Sequence, residues 1–581
     1  MTDPGTLYQA GPQGIDTGGD LSSFVDVILW RAKHQSHVNA FTFLENGVDE
    51  TCAMTYAQLS DAARRMAGRL QDLELEGERV LLLYPSGPDY VIALIACLFS
   101  GVVAVPFYPP VPGRRCSILE SVLHDAQPRA VLTTPRELEV LTGRLGKTLA
   151  DLDCELLAPD LTGDELDSHW QRPSLQRDSI AYVQYTSGST LDPKGVLLTH
   201  GNLSHNCRLI SKVIGASETD LTVSWLPFFH DMGLVGGLLF PIYSGAPLVF
   251  MPPEAFVMKP VRWLQAISRY GARLSPAPNF AFDLCVQRTR PQERADLDLS
   301  TWRVAFNGSE RIDHRSLQRF SKTFHGHGFR YETFLPCYGL AESTLMVTGG
   351  CALEEPVVRR YERAALDAGR ASLDDEGVTL VGCGRAHGDL RVLIVDPETC
   401  RRCPSGTIGE IWVSGPSVTA GYWNRPQLTR DIFEARESES GSGPFLRTGD
   451  LGFQQDGEIF VTGRLKDLMI VGGRNIHPED IEATVEAAHP EMSPHGAIAF
   501  SVDGNPQERL VVVAEIGRGA RQDSQLGQLE QVIRAAVAKE NNVAVSEVVF
   551  VRRRTLPKTT SGKKRRSACR RSFVDGQLEA L

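Results

Sequence analysis

Nothing in the sequence has the form of a membrane-entering segment. Its first residues lack the charged-then-apolar pattern of a signal peptide. The run from Tyr90 to Phe107 is uncharged over nearly a bilayer's thickness, but Ser100-Gly101 and Pro106 interrupt it. It therefore reads as a buried helix, Pro88 to Phe99, followed by a buried strand, Val102 to Val105. Positive charge is in deficit, and a formal net charge of −11 excludes a protein whose whole surface binds nucleic acid. The twelve cysteines are scattered without a disulfide framework, as free thiols of a reducing cytoplasm are. Only Cys400-Arg-Arg-Cys403 has ligand spacing, and no second pair follows at zinc-finger distance, so it reads as a turn between strands. A Walker A loop is also missing, because the nearest approach, Gly146-Lys147-Thr148, has Leu141 where the first glycine belongs. There is no internal repeat.

What is present is a chain too long, at 581 residues, for one hydrophobic core, so at least two domains are expected. The stretch around which it is organised is Tyr185-Thr-Ser-Gly-Ser-Thr-Leu-Asp-Pro-Lys-Gly-Val196. The alternating, β-branched and aromatic run Ser179 to Tyr185 predicts a strand leading into it. Thr186, Ser187, Ser189 and Thr190 offer hydroxyl donors, Gly188 lets the backbone approach an anion, and Lys194 supplies a point charge. That set suits a polyphosphate.

Residues 1 to 20, rich in Gly, Asp and Pro, read as a loosely held lead-in. A helix is expected from Leu21 to Ala32, a strand at Phe41 to Leu44, and a helix opened by a Thr55 cap and running to Leu73. Strands at Val80 to Tyr84 and Ala130 to Thr134 continue an alternation that implies a largely parallel sheet covered on both faces. Ligands of such sheets sit beyond the carboxyl ends of the strands. His230 and Asp231 are followed by glycines and by Leu238-Leu-Phe240, which suits the entrance to an apolar pocket.

A strand from Trp302 to Phe306 ends in Asn307-Gly-Ser-Glu310, and one from Phe334 to Cys337 ends in Tyr338-Gly-Leu-Ala-Glu-Ser343. A polar tetrad beside an aromatic and a carboxylate is what a purine with a metal-bound triphosphate requires. Asp450 is expected in a tight turn within Phe445 to Gly452. Beyond Lys466 the pattern changes to a small α+β domain, with helices at Pro478 to Ala488 and Leu526 to Lys539 and strands at Ala497 to Val502, Leu510 to Ile516 and Val548 to Val551. From Val548 to Val574 there are ten lysines and arginines and no acidic residue, which reads either as a solvated tail or as a docking surface for something anionic.

Six stretches of the chain, spanning Tyr185 to Arg566, resemble in order and spacing the adenylate-forming superfamily of acyl-CoA synthetases, luciferases and peptide-synthetase adenylation domains. Two features look most like its fatty acyl-AMP ligases. One is Thr462-Gly-Arg-Leu-Lys-Asp-Leu-Met-Ile-Val-Gly-Gly-Arg-Asn-Ile-His-Pro-Glu-Asp-Ile-Glu482; the other is the segment from Cys351 to Val381, containing Arg360-Tyr-Glu-Arg-Ala-Ala-Leu366, which resembles that family's insertion. Three places depart from the pattern: Gly472-Gly473 and Ile476-His477 stand where Arg-Gly and His-Tyr are expected, and Ser309 where alanine is usual.

The resemblance implies an α/β fold: a large N-terminal domain, residues 1–465, of parallel α/β sheets plus a small β-rich subdomain, and a small mobile α+β domain, residues 466–581, hinged at Lys466. It implies that Thr186, Ser187, Gly188, Ser189, Thr190 and Lys194 hold the phosphates of ATP. Asn307, Gly308, Ser309 and Glu310, with Tyr338, Gly339, Leu340 and Ala341, would form the adenine site. Asp450 and Arg464 would bind the ribose hydroxyls, and Glu342 with Thr186 would hold Mg²⁺. Lys563, in Leu-Pro-Lys-Thr-Thr-Ser-Gly-Lys, corresponds to the catalytic lysine of the small domain; His230, Lys194 and Lys466 complete the catalytic set.

The implied reaction activates a fatty acid with ATP to an acyl-adenylate, then passes the acyl group to the phosphopantetheine thiol of an acyl carrier protein. Two alternatives stay open at this point: a fatty acyl-CoA synthetase, and a catalytically silent nucleotide-binding regulator. The presence of Glu342, Asp450, Lys466 and Lys563 together argues against the second.

Overall fold

The computed structural model describes residues 23–110, 116–159, 169–186, 193–471, 474–502, 508–517, 523–559 and 562–581. The lead-in and the loop residues Ser187, Gly188, Ser189 and Thr190 lie outside the described residues.

Two largely parallel sheets carry the large domain. The six-stranded sheet runs, in spatial order, Glu155–Leu157, Ala130–Leu132, Arg79–Leu83, Val103–Phe107, Ile180–Thr186 and Lys194–Thr199. Its last pair is antiparallel, a hairpin with Thr186 opposite Lys194. In the nine-stranded sheet a parallel centre includes Thr222–Ser224, Leu274–Pro278, Val304–Gly308 and Phe334–Gly339.

The helix Pro88–Ser100 is buried along nearly its whole length; Pro88 pre-sets its first turn and Gly101, at φ +73°, ends it. Among the described residues no helix is long and apolar enough to cross a membrane. The helix Tyr56–Asp72 starts where expected: Gln58 N–H donates to Thr55 Oγ1 and Thr55 N–H to Gln58 Oε1, a capping box.

A four-stranded antiparallel sheet, Arg391–Val395, Gly409–Ser414, Leu446–Gln455 and Glu458–Arg464, forms the small β-rich unit. Asp450 lies within the third of these strands and not in a tight turn, because the ladder to Arg464 continues through it despite the φ +69° kink at Gly449. The C-terminal unit is a three-stranded sheet, Met492–Val502, Arg509–Ile516 and Glu547–Arg552. Alternation in the first strand sends Ala497 and Ala499 towards the helices Pro478–Ala488 and Asp523–Asn541, and Ile498 and Phe500 towards Arg566–Val574.

The segment 351–381 folds as a hairpin, Val358–Tyr361 against Val378–Val381, with a short helix Arg363–Asp367. Tyr361 packs edge-on against Phe453 and Phe460 and donates to Gln455 Oε1. Leu353 and Val357 are exposed rather than packed. Ion pairs join the small unit to the rest: Asp480 is held by Arg311 at 2.6 Å and Arg363 at 2.5 Å, Arg474 by Asp367, and His495 lies 3.5 Å from Asp283.

Met232–Leu239 is a π-helix, which the sequence pattern did not reveal. A Cβ on Gly233 would come 2.1 Å from the Pro227 carbonyl oxygen, so the helix rests directly on the preceding turn. Gly233→Ala is therefore expected to destabilise the large domain by about 1–3 kcal/mol through overpacking, read as a lower denaturant midpoint with unchanged slope.

Candidate active site

A cavity of about 2350 Å³ opens at the carboxyl ends of the parallel strands, lined by residues of both sheets, the β-rich unit and the C-terminal unit. Its polar wall starts at the hairpin, where the ladder sets Thr186 beside Lys194 and the Lys194 ammonium lies 5.4 Å from the Tyr422 ring centroid. Glu342 sits in a 3-10 turn, Ala341–Ser343, at the end of strand Phe334–Gly339. Its Oε1 accepts from the Tyr422 hydroxyl at 2.9 Å, while burial raises its pKa. Leu340 and Ala341 line the cavity beside it.

Asp450 and Arg464 face each other across one ladder, 3.1 Å apart, and the Tyr338 hydroxyl donates to the second Asp450 oxygen at 2.8 Å. This fixed carboxylate, guanidinium and phenol form a polar group of the kind that binds a vicinal diol. Gly308 and Gly339 are required by close approach: a Cβ on either would come 2.9 Å from Cys337 O or 1.7 Å from Leu345 O. Ser309 adopts φ +70°, and Glu310 Oε1 accepts from Phe280 N–H at 2.7 Å, capping the helix Asn279–Arg288. Asn307 is fully buried and directed at Asn279 Oδ1, and it does not line the cavity. Its Oδ1 has no partner among the described residues.

Burial, with the Lys563 ammonium second, pushes the His230 pKa down to about 3, so the imidazole is neutral. Lys563 reaches the cavity from the C-terminal unit; desolvation lowers its pKa, offset by the Asp231 carboxylate. Lys466, in the 3-10 turn Leu465–Asp467, is lowered likewise by desolvation and then by Arg464. The same cavity is lined by apolar side chains, among them Met232, Phe240, Leu345 and Met346.

The basic run is not one surface. Lys564 pairs with Glu482 and Glu486, and Arg566 with Asp467, Glu479 and Glu482, inside the unit. Arg552, Arg554, Arg570 and Arg571 remain exposed. Sequence reasoning passed over Tyr422, whose one local signal is the preceding Gly421, held at φ +125°.

Residues 29–423 match the family model AMP-binding enzyme, and residues 466–581 the model Disco-interacting protein 2-like, AMP domain. The chain is 43% identical over 575 residues to a medium-chain-fatty-acid acyl-carrier-protein ligase, JamA, of Moorena producens (strain JHB), covering 96% of each. It is 35% identical to the long-chain-fatty-acid AMP ligase FadD32 of Mycolicibacterium smegmatis, covering 97% of this chain and 96% of that one. Among solved structures, the fatty acyl-adenylate ligase of L. pneumophila in complex with acyl adenylate and pyrophosphate superposes with a TM-score of 0.75 at 35% identity, over 97% of this chain and 98% of the other. With cavity, sheets and relatives in agreement over nearly its whole length, the chain belongs to the AMP-binding enzyme family, in its fatty acyl-AMP ligase branch.

Proposed function

We propose that this protein joins a fatty acid to ATP, releasing pyrophosphate, and passes the acyl group of the resulting acyl-adenylate to the phosphopantetheine thiol of an acyl carrier protein. The observation that carries the reading is that Lys563, from the C-terminal unit, lines the same cavity as Thr186, Glu342 and Asp450. The names of the relatives support the fatty acid and the carrier as substrate and partner.

A carboxylate oxygen attacks the α-phosphorus, the bond to the β-phosphate oxygen breaks, and pyrophosphate carries away the electron pair. Two anions must approach, so charge compensation dominates the barrier. Lys194 holds the polyphosphate, and Lys563 meets charge that develops on the α-phosphate oxygens. Asp450 and Arg464 bind the ribose hydroxyls, and Ser309, Glu310 and Tyr338 flank the purine. Neutral His230 orients the incoming carboxylate by a hydrogen bond without adding charge.

Mg²⁺ fits this donor set: one buried carboxylate, Glu342, and the Thr186 hydroxyl suffice for an ion that takes one or two carboxylates and completes its shell with phosphates and water. When bound, it neutralises phosphate charge.

For transfer, the small domain, residues 466–581, turns about Lys466, removes Lys563 and admits the thiol. The exposed Arg552, Arg554, Arg570 and Arg571 are suited to an acidic carrier. The segment 351–381, tied to Asp480 and Arg474 of the small domain by Arg363 and Asp367, restrains that turn and disfavours free coenzyme A. The compartment is the cytoplasm, which suits twelve free thiols.

Fatty-acid-dependent ATP–pyrophosphate exchange, with and without coenzyme A, tests the reading; no exchange with any fatty acid overturns it. Lys563→Ala should lower exchange by about 10²–10³-fold with ATP affinity little changed, since its contribution is to the transition state. In Glu342→Gln, a magnesium titration should show half-maximal exchange at a higher concentration, because an amide is a poorer ligand for a hard cation. Replacing Leu353 to Thr379 by a short Gly/Ser linker should preserve adenylation and raise acyl-CoA formation. A folded, adenylating protein that still yields no acyl-CoA would place the barrier in the thiol channel.

A further inference from the structure

Lys194 and Glu342 are carried by different sheets, and among the described residues no strand ladder joins those two sheets. Lys194 opens the edge strand Lys194–Thr199 of the six-stranded sheet, whereas Glu342 follows strand Phe334–Gly339 of the nine-stranded one. A polyphosphate must meet both, so their separation has to be set by something else.

The segment 419–423 spans the gap. Leu197 N–H donates to Gly421 O at 2.9 Å, Ala420 N–H to Leu197 O at 3.1 Å, and Trp423 N–H to Gly195 O at 2.7 Å, so it covers the exposed edge of the hairpin. At its other end Thr419 N–H donates to the Glu342 carbonyl at 3.0 Å. Tyr422 then touches both functional groups at once: its ring carries the Lys194 ammonium 5.4 Å from the centroid, and its hydroxyl donates to Glu342 Oε1 at 2.9 Å.

The ring is held from outside the site. Tyr422 N–H donates to Thr429 Oγ1 at 3.0 Å, and Phe433 packs edge-on at 5.2 Å. Gly421 must be glycine, since a Cβ at its φ of +125° would come 2.3 Å from Thr429 Cγ2. Burial and the Glu342 carboxylate push the phenol pKa upward, so the hydroxyl remains a donor.

We propose that Tyr422 is a positioning residue that fixes Lys194 and Glu342 at one separation, so that cation and carboxylate address the same polyphosphate. The proposal rests on the fatty acyl-AMP ligase reading of this cavity. Tyr422→Phe keeps the ring under Lys194 and removes the donor to Glu342; Tyr422→Leu removes both.

The test measures ATP affinity by calorimetry without and with Mg²⁺, Mn²⁺ binding in the presence of ATP by electron paramagnetic resonance, the thermal midpoint, and pyrophosphate exchange. Tyr422→Phe should bind ATP normally without metal, lose about tenfold of the gain that metal confers, and weaken Mn²⁺ binding equally, because the lost hydrogen bond is to a charged group. Tyr422→Leu should in addition bind metal-free ATP about 2–5-fold more weakly, the loss of a cation–π contact. Variants that shift only the thermal midpoint, or a Phe variant whose metal gain equals wild type, overturn the proposal. A wild-type protein that binds ATP and metal but exchanges pyrophosphate with no fatty acid overturns the functional reading alone.

Discussion

The cavity brings mutually repelling cations close together. Lys194, Arg464, Lys466 and Lys563 converge on it from the hairpin, the β-rich unit and the C-terminal unit, and they act on one another: Arg464 and Lys194 lower the Lys466 pKa, and Arg464 that of Lys563. Desolvation adds to the cost of keeping these ammonium groups charged. Asp450, Asp231 and Glu310 offset part of it. Charges held in place by the fold need no reorganisation when further charge develops beside them.

This constraint explains the division of labour within the basic C-terminal run. Lys564 and Arg566, on the C-terminal side of Lys563, are consumed by Glu482, Glu486, Glu479 and Asp467. With these two charges neutralised locally, Lys563 brings its own to the cavity wall. Docking of the small unit depends on a few ion pairs, of which the Asp480 clasp by Arg311 and Arg363 is the most buried; it holds that carboxyl well below its usual range. Interfaces between domains of one chain are typically more polar than a domain core, and this one follows that pattern.

The segment 351–381 has two faces of different chemistry. Its aromatic face is fixed to Phe453 and Phe460, while its charged face meets the small unit through Arg363 and Asp367. The hairpin is thus packed on the β-rich unit by apolar contact and joined to the small unit by charge.

Much of the fold was legible locally. The capped helix after Thr55, the Pro88 to Gly101 helix and the elements of the C-terminal unit depend on periodicity, capping residues and turn formers, which act over a few positions. The residue types of the site were equally visible, because hydroxyls, glycines, lysines and carboxylates at strand ends carry their chemistry with them. Tertiary structure decided the rest. Asp450 became a strand residue because its partner Arg464 lies across a ladder, and Asn307 turned inward to Asn279 although its neighbours line the cavity. Lys564 and Arg566 of the basic run were spent on Glu482, which lies about eighty residues away in sequence and adjacent in space. Tyr422 gave no signal of its own, since its role exists only where an edge strand of one sheet and a turn of the other come within reach of a single ring, a distance fixed by how two sheets pack and not by any local pattern.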